Sequence, residues 1–322
     1  MISLYRLCVI SCVIAILMSC SKIPVETFDV DKFYELTNGI EEETTSFLFF
    51  TDPHINENNS TFEQYLRSLE YNYNRVPLEF CLCGGDWLNN NDTNQQAYGK
   101  LRFIADYTYH VFGDNYYPIL GNHDTNYQGR YTNESEENTG MLSHEEIVGL
   151  LFYRQGNSYY AFERNHVKFL ILDTGIDWNR QMDAYRWEQA HWFASGLQTN
   201  KSNHIVIAMH IYTKDIDGTK SPELFSQYIM EIADAHNNRK AISLNGVEYD
   251  FADAYGKVAC VLCGHCHEDF ITTSCSIPIV GTTHLKDGNI PTFDLCVFNW
   301  EQNVLNLLRV GSGNDRIIHL AQ

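Results

Sequence analysis

The sequence predicts an α/β fold: one domain with a layered sheet core and helices outside. Three observations predict it. Short, continuously apolar runs rich in β-formers recur from residue 46 onward, the mark of strands buried on both faces. Segments with helix-like spacing separate the early runs, giving the strand–helix–strand alternation of parallel sheets. From Val258 to Val310 the chain turns strand-rich. A length of 322 residues alone would admit one large α/β domain or two average ones. No internal repeat or low-complexity segment divides the chain.

In chain order, residues 1–20 are a different material from the rest. Arg6 is their only charge, followed by the apolar run Leu7 to Met18, too short to span a membrane comfortably, and then Ser19-Cys20. Leu17-Met18-Ser19-Cys20 resembles the lipobox of bacterial lipoproteins, in which the cysteine becomes the lipidated first residue. The expectation is a lipoprotein-type signal peptide over 1–20 and a lipid anchor on Cys20. The remainder is then exported to the periplasm or cell envelope and held at the membrane. An ordinary signal peptide or an uncleaved anchor are the alternatives.

Residues 21–45 read as a tether, with Pro24, scattered acids and the run Glu41-Glu42-Glu43 before any sustained apolar pattern. The folded domain is expected over 46–322. Strands are expected at Phe47–Phe50, Leu78–Cys83 and Tyr116–Leu120, with helices at Thr61–Tyr71 and Thr93–Val111 between them. The polar stretch Thr125 to Thr139 is long for a connector and is a candidate lid or wall. A hairpin follows around Arg164-Asn165, from Tyr159–Phe162 and Val167–Leu172. Met182–Leu197 reads as an aromatic-rich amphipathic helix, His204–Met209 as a strand, and Pro222–His236 as a helix with proline properly at its start. Val258–Cys263, Phe270–Thr273, Ile277–Val280, Phe293–Phe298 and Val304–Val310 complete the strands.

Composition narrows the function. Hydrophobic residues at 44% and charged residues at 20% suit a globular protein with a real core. Against 22 Lys+Arg stand 41 Asp+Glu, a formal charge of −19, which repels nucleic-acid backbones and anionic headgroups. Of ten cysteines, Cys8, Cys12 and Cys20 fall in the leader, leaving Cys81, Cys83, Cys260, Cys263, Cys266, Cys275 and Cys296. An odd set cannot pair fully within one chain. Cys81 and Cys83 read as small buried hydrophobes. Cys260-x-x-Cys263-x-x-Cys266 has the look of an iron–sulfur run, but no fourth cysteine follows at suitable spacing.

Five motifs carry the chemistry: Asp52-Pro53-His54, Gly85-Asp86, Gly121-Asn122-His123-Asp124, His210, and Gly264-His265-Cys266-His267. Singly each has an ordinary reading as an Asx turn, a tight turn, a core histidine or a surface histidine pair. All five, however, sit where an expected strand ends. In α/β folds ligands gather beyond the carboxyl ends of strands, so residues far apart in sequence can converge there. Together they supply carboxylate, amide and imidazole donors for two adjacent metal ions, the equipment for phosphoryl transfer.

In this order the set resembles the calcineurin-like metallophosphoesterase superfamily, whose signature is Asp-x-His, Gly-Asp, Gly-Asn-His-Asp/Glu, His and Gly-His-x-His. The likeness runs from about Phe47 to His267, with a strand-rich tail to about Ile318; Asp173 and the Trp187–Leu197 helix resemble an intermediate feature of the family. It implies a four-layer β-sandwich with flanking helices. It also implies that Asp52, His54, Asp86 and His267 bind a first ion, Asp86 bridging to a second held by Asn122, His210 and His265. The donors suit Mn²⁺, Fe²⁺ or Zn²⁺. His123 would assist the leaving oxygen or position phosphate, with Asp124 orienting its ring. Cys266 is expected to point away. Purple acid phosphatases, a related branch, use Asp-x-Gly and a metal-binding Tyr three residues after the Asp of Gly-Asp; His54 and Asn89 stand at those places here.

The resulting expectation is a dinuclear phosphoesterase that attacks mono- or diesters with a metal-bridging hydroxide. Monoester, cyclic or linear diester and pyrophosphate remain open. The acidic surface favours small or lipid-linked substrates over nucleic-acid polymers, and no obligate protein partner is evident. Trp87, Tyr127, Arg130, Tyr131, Trp178 and Arg180 lie in or beside the motif loops and are candidates to stack a base or clamp a phosphate. The alternatives are a catalytically silent, metal-bearing lipoprotein that binds phosphate compounds, and a redox or structural metal module built on the cysteines.

Overall fold

The computed structural model describes residues 25–55, 60–127, 140–175, 184–212, 225–286 and 290–321. The leader with Cys20, most of the 125–139 loop, and Arg130, Tyr131, Trp178 and Arg180 lie outside the described residues.

Two six-stranded sheets face each other. The first carries β1 (Thr44–Phe50), β2 (Phe80–Cys83), β3 (Tyr116–Pro118), β12 (Phe293–Asn299), β13 (Val304–Val310) and β14 (Arg316–His319) in the order β14-β13-β12-β1-β2-β3. The second runs β10-β11-β9-β6-β5-β4, from β4 (Tyr160–Arg164), β5 (Val167–Leu172), β6 (His204–Met209), β9 (Lys257–Cys263), β10 (Phe270–Ser274) and β11 (Ile277–Gly281). The remaining strands, β7 (Ala241–Leu244) and β8 (Val247–Asp250), form a separate hairpin.

Helices α2 (Ser60–Tyr73) and α3 (Asn94–Phe112) cross between β1, β2 and β3; α5 (Ala184–Gln198) and α6 (Phe225–Asn237) cross between β5, β6 and β9. The strands they join pair in parallel. This is the expected four-layer arrangement.

Period-two alternation explains why the strands read as unbroken apolar runs. In β5, Phe169 and Ile171 join the core between the sheets, while Leu170 and Leu172 join a second core with Phe193 and Leu197 of α5 and Ile229 of α6. In β6, Val206 and Ala208 face the first core and Ile205, Ile207 and Met209 the second. The inter-sheet core is aromatic. The Phe47 ring stacks on Phe80 at 4.6 Å and meets Phe169 edge-on at 5.9 Å, and Phe162 stacks on Phe169 at 4.8 Å. Alternation also disposes of the iron–sulfur reading, since Cys260 joins the inter-sheet core and Cys263 the outer one, on opposite faces of β9. All seven cysteines from Cys81 to Cys296 are free thiols.

Several boundaries differ from expectation. Within the expected tether, Val30–Thr37 forms helix α1, capped by the Asp29 side chain and packed on β12, with Phe28 and Phe33 buried in the main core. Helix α4 (His144–Leu151), capped by a Ser143–Glu146 capping box, and the β7–β8 hairpin are additions. The β4–β5 turn falls on Asn165-His166, both at positive φ, one residue later than expected. Among the described residues no helix is long and apolar enough to cross a membrane.

Candidate dinuclear metal centre

Each motif lies at or just past the end of a strand: Asp52 and His54 after β1, Asp86 after β2, Asn122 after β3, His210 after β6, and His265 and His267 after β9. The turns there are strained. Asp52, His54, Asp86, His265 and His267 all have φ between 41° and 70°. For non-glycine residues each such conformation costs on the order of 1–3 kcal/mol and persists only where the surroundings impose it. Two motif glycines are required by close approach. A Cβ on Gly121 would land on the Asp86 carboxylate and backbone, and one on Gly264 on the Thr51 side chain.

The aspartate and histidine ligands of the motifs converge in two groups. Asp52, His54 and His267 place potential donors within 4.8 Å of one another, and so do Asp86, His210 and His265. Asp52 Oδ1 lies 3.2 Å from His267 Nε2, Asp86 Oδ2 lies 3.1 Å from His210 Nε2, and the Nε2 atoms of His54 and His267 face each other at 3.0 Å. A third group, His54, Asp86 and His123, meets the same criterion, and His123 Nε2 is 3.9 Å from Asp86 Oδ2.

Backbone carbonyls set the imidazoles. His54 Nδ1 lies 2.8 Å from Leu88 O and His210 Nδ1 lies 2.6 Å from Gly84 O. A carbonyl only accepts, so both Nδ1 atoms carry hydrogen and a cation would be taken on Nε2, at His210 in exchange for a proton.

The fit to metal ions rests on buried polar atoms short of partners. Asn122 Oδ1 and Nδ2 are buried without a hydrogen-bond partner, and Asp52 Oδ1, Asp86 Oδ2 and His210 Nε2 are buried with only the imidazole–carboxylate contacts already given. Leaving both Asn122 atoms unbonded would cost about 1–3 kcal/mol each. Two shared cations would relieve the cost, so the residues fit the group the motifs imply.

Electrostatics agree. Burial pushes the Asp52 carboxyl up, but His210, a hydrogen bond from His267 and the His54 ring outweigh it and hold it below the usual range. Burial is likewise overcome at Asp86, which His210, His123 and His54 hold far down. Burial lowers His54 to about 4. At His210 burial works downward, but Asp86 and Asp52 raise it to about 9.

Asp124, expected to orient His123, meets the backbone with both oxygens. Its Oδ2 accepts from the N–H of Asp86 (3.0 Å) and Gly121 (2.9 Å), and its Oδ1 from Trp87 (2.7 Å) and Leu88 (3.3 Å). Both oxygens are spent on the backbone, tying the Gly85-Asp86 turn to the Gly121–Asp124 turn. The backbone N–H of His123 donates to Asp86 Oδ1 at 2.7 Å.

Trp87 is no substrate platform either. It is buried against Phe50, and its indole N–H donates to the Tyr116 hydroxyl. Tyr127 is half-buried, and its N–H donates to Thr125 Oγ1. The motifs also missed neighbours. Thr51 Oγ donates to Asp52 Oδ2 at 2.6 Å, while His284 and Lys286, on the segment after β11, lie against His267 and His54. Cys266 is half-buried, and burial pushes its thiol up to about 11, away from the thiolate a metal would need.

A search of curated proteins finds no match. Solved structures with the same fold include a dimetal phosphatase from Danio rerio, at 12% identity and a TM-score of 0.60, covering 86% of this chain and 99% of that one. Another is PhoD, at 12% identity and a TM-score of 0.52, covering 86% of this chain and 68% of that one. At such identity these show a shared architecture. The calcineurin-like phosphoesterase family profile matches residues 45–269, which takes in every motif and most of the chain. With that match over a site whose ligand groups converge in two sets, this chain belongs to the calcineurin-like phosphoesterase family.

Proposed function

We propose that the protein hydrolyses phosphate mono- or diesters with two divalent ions, drawn from Mn²⁺, Fe²⁺ and Zn²⁺. The observation that carries this is the set of buried ligand atoms of Asp52, Asp86, Asn122 and His210, short of hydrogen-bond partners. Asp52, His54 and His267 would hold one ion and Asn122, His210 and His265 the other, with Asp86 between them. When bound, the ions would supply Lewis acidity to the phosphoryl group and the attacking water. The chain supplies the rest. The Leu88 and Gly84 carbonyls fix the ring tautomers. His123, a quarter exposed and beside Asp86, is placed to give a proton to the departing oxygen.

The substrate would be a small or lipid-linked phosphoester, met at the cell envelope by a chain anchored through Cys20. The acidic composition supports that choice over a nucleic-acid polymer. The test is hydrolysis of p-nitrophenyl phosphate and bis-p-nitrophenyl phosphate by the full chain with Mn²⁺, beside Asp86→Ala and His210→Ala proteins checked for folding. Metal-dependent turnover lost in both variants supports the reading. No turnover of either ester with two ions bound would leave a silent phosphate-binding protein in its place.

A further inference from the structure

The segment after β11 runs along the metal centre although no motif points to it. The Thr283 hydroxyl donates to the His267 carbonyl at 3.0 Å, and the Leu285 N–H donates to the Thr51 carbonyl at 2.9 Å. The His284 ring meets that of His267 edge-on at 4.9 Å. Lys286 Nζ donates to the His54 carbonyl at 3.3 Å. These contacts fall on His54, His267 and the neighbour of Asp52, the three residues of one ligand group. His267 is the open side of that group, with its side chain 42% exposed.

Lys286 is half-buried, and among the described residues its only hydrogen bond goes to that carbonyl, with no carboxylate at ion-pair distance. An ammonium has three N–H donors, and a lysine drawn partly out of water is ordinarily paired. Burial lowers its ammonium from the usual range, against the pull of Asp52 across the site. The nearby arginines are committed elsewhere: Arg309 to Asp269 and Asp294, and Arg316 to the same two carboxylates.

A phosphate monoester presents three non-bridging oxygens and up to two negative charges. A diester presents two and one, its remaining oxygen carrying a second alcohol. We propose that Lys286 forms an anion subsite on the His54–His267 flank of the centre and takes the additional charged oxygen of a phosphate monoester. Lysine suits this as a compact point charge for phosphate. The inference rests on the esterase reading and sharpens it, making the monoester the preferred substrate class.

The test compares the metal-loaded full chain with its Lys286→Gln and Lys286→Arg variants, each checked for two bound ions. For Lys286→Gln, the ratio of kcat/KM for p-nitrophenyl phosphate over that for bis-p-nitrophenyl phosphate should fall on the order of tenfold, as for loss of a charged hydrogen bond. Lys286→Arg should restore most of it. Calorimetric affinity for inorganic phosphate should weaken by a similar factor in Lys286→Gln. An equal loss on both esters, an unchanged phosphate affinity, or loss of an ion from Lys286→Gln would each overturn the subsite, leaving Lys286 as a strut for His54. If the chain turned over neither ester the esterase reading would fail, yet phosphate affinity would still decide the subsite.

Discussion

Replacing Asp124 with Asn removes one carboxylate oxygen and changes almost no volume. The four N–H groups that meet this side chain, from Asp86, Trp87, Leu88 and Gly121, are divided between its two oxygens. The carboxamide keeps one acceptor and turns an NH₂ toward the other pair of donors. Two buried N–H groups lose their partner at about 1–3 kcal/mol each, so the loss is about 2–6 kcal/mol. A chain of this size moves by roughly 2 °C per kcal/mol, giving a melting temperature lower by roughly 4–12 °C. The turn that carries Asp86 also loosens, so Mn²⁺ binds more weakly. Thermal denaturation of the metal-free chain and Mn²⁺ titration read both effects. An Asp124→Asn protein that melts within about a degree of the parent, binds Mn²⁺ equally and loses only kcat would refute the strut and return Asp124 to orienting His123.

In the metal-free chain His210 stands at about 9, above its unfolded value. Its stabilising charge is therefore fully present below about pH 6.5 and lost as the pH rises through 9. An ion must displace that proton, so Mn²⁺ affinity should rise by up to about tenfold per pH unit between 6.5 and 9, with about one proton released at pH 7.5 in calorimetry across two buffers. A flat affinity over that range would contradict the His210–Asp86 pairing. Gly121→Ala drives a methyl into Asp86, so the folded variant should hold fewer than two ions per chain by elemental analysis, at a cost of about 1–3 kcal/mol. His123→Ala should keep both ions while kcat falls roughly 10²- to 10⁴-fold; loss of an ion would instead make His123 a ligand.

Much of this was legible because the informative residues sit at the ends of apolar runs. β1, β2, β6 and β9 are buried on both faces, so Phe47–Phe50 and its counterparts stand out, and the residue that breaks each run carries the site. What escaped lacked such a contrast. Helix α1 buries mainly Phe33 and Thr37 in two turns, too little periodicity to lift it out of an acidic stretch. The β7–β8 hairpin is mostly exposed and its strands do not alternate, although Asn245-Gly246 is a strong turn signal. Asp124 and Lys286 act on backbone groups, Asp124 on N–H donors of two turns and Lys286 on the His54 carbonyl. Such partners leave no trace in side-chain identity, and only the folded chain reveals them.

The central claim is that two ions, bridged by Asp86, act together on a phosphoester. Its most direct test is p-nitrophenyl phosphate turnover titrated with Mn²⁺ from the metal-free full chain, in parallel with Asp86→Ala. The account predicts that activity climbs to a plateau at two ions per chain and is absent in the variant at every ratio. A plateau at one ion, or turnover that survives Asp86→Ala, would contradict it.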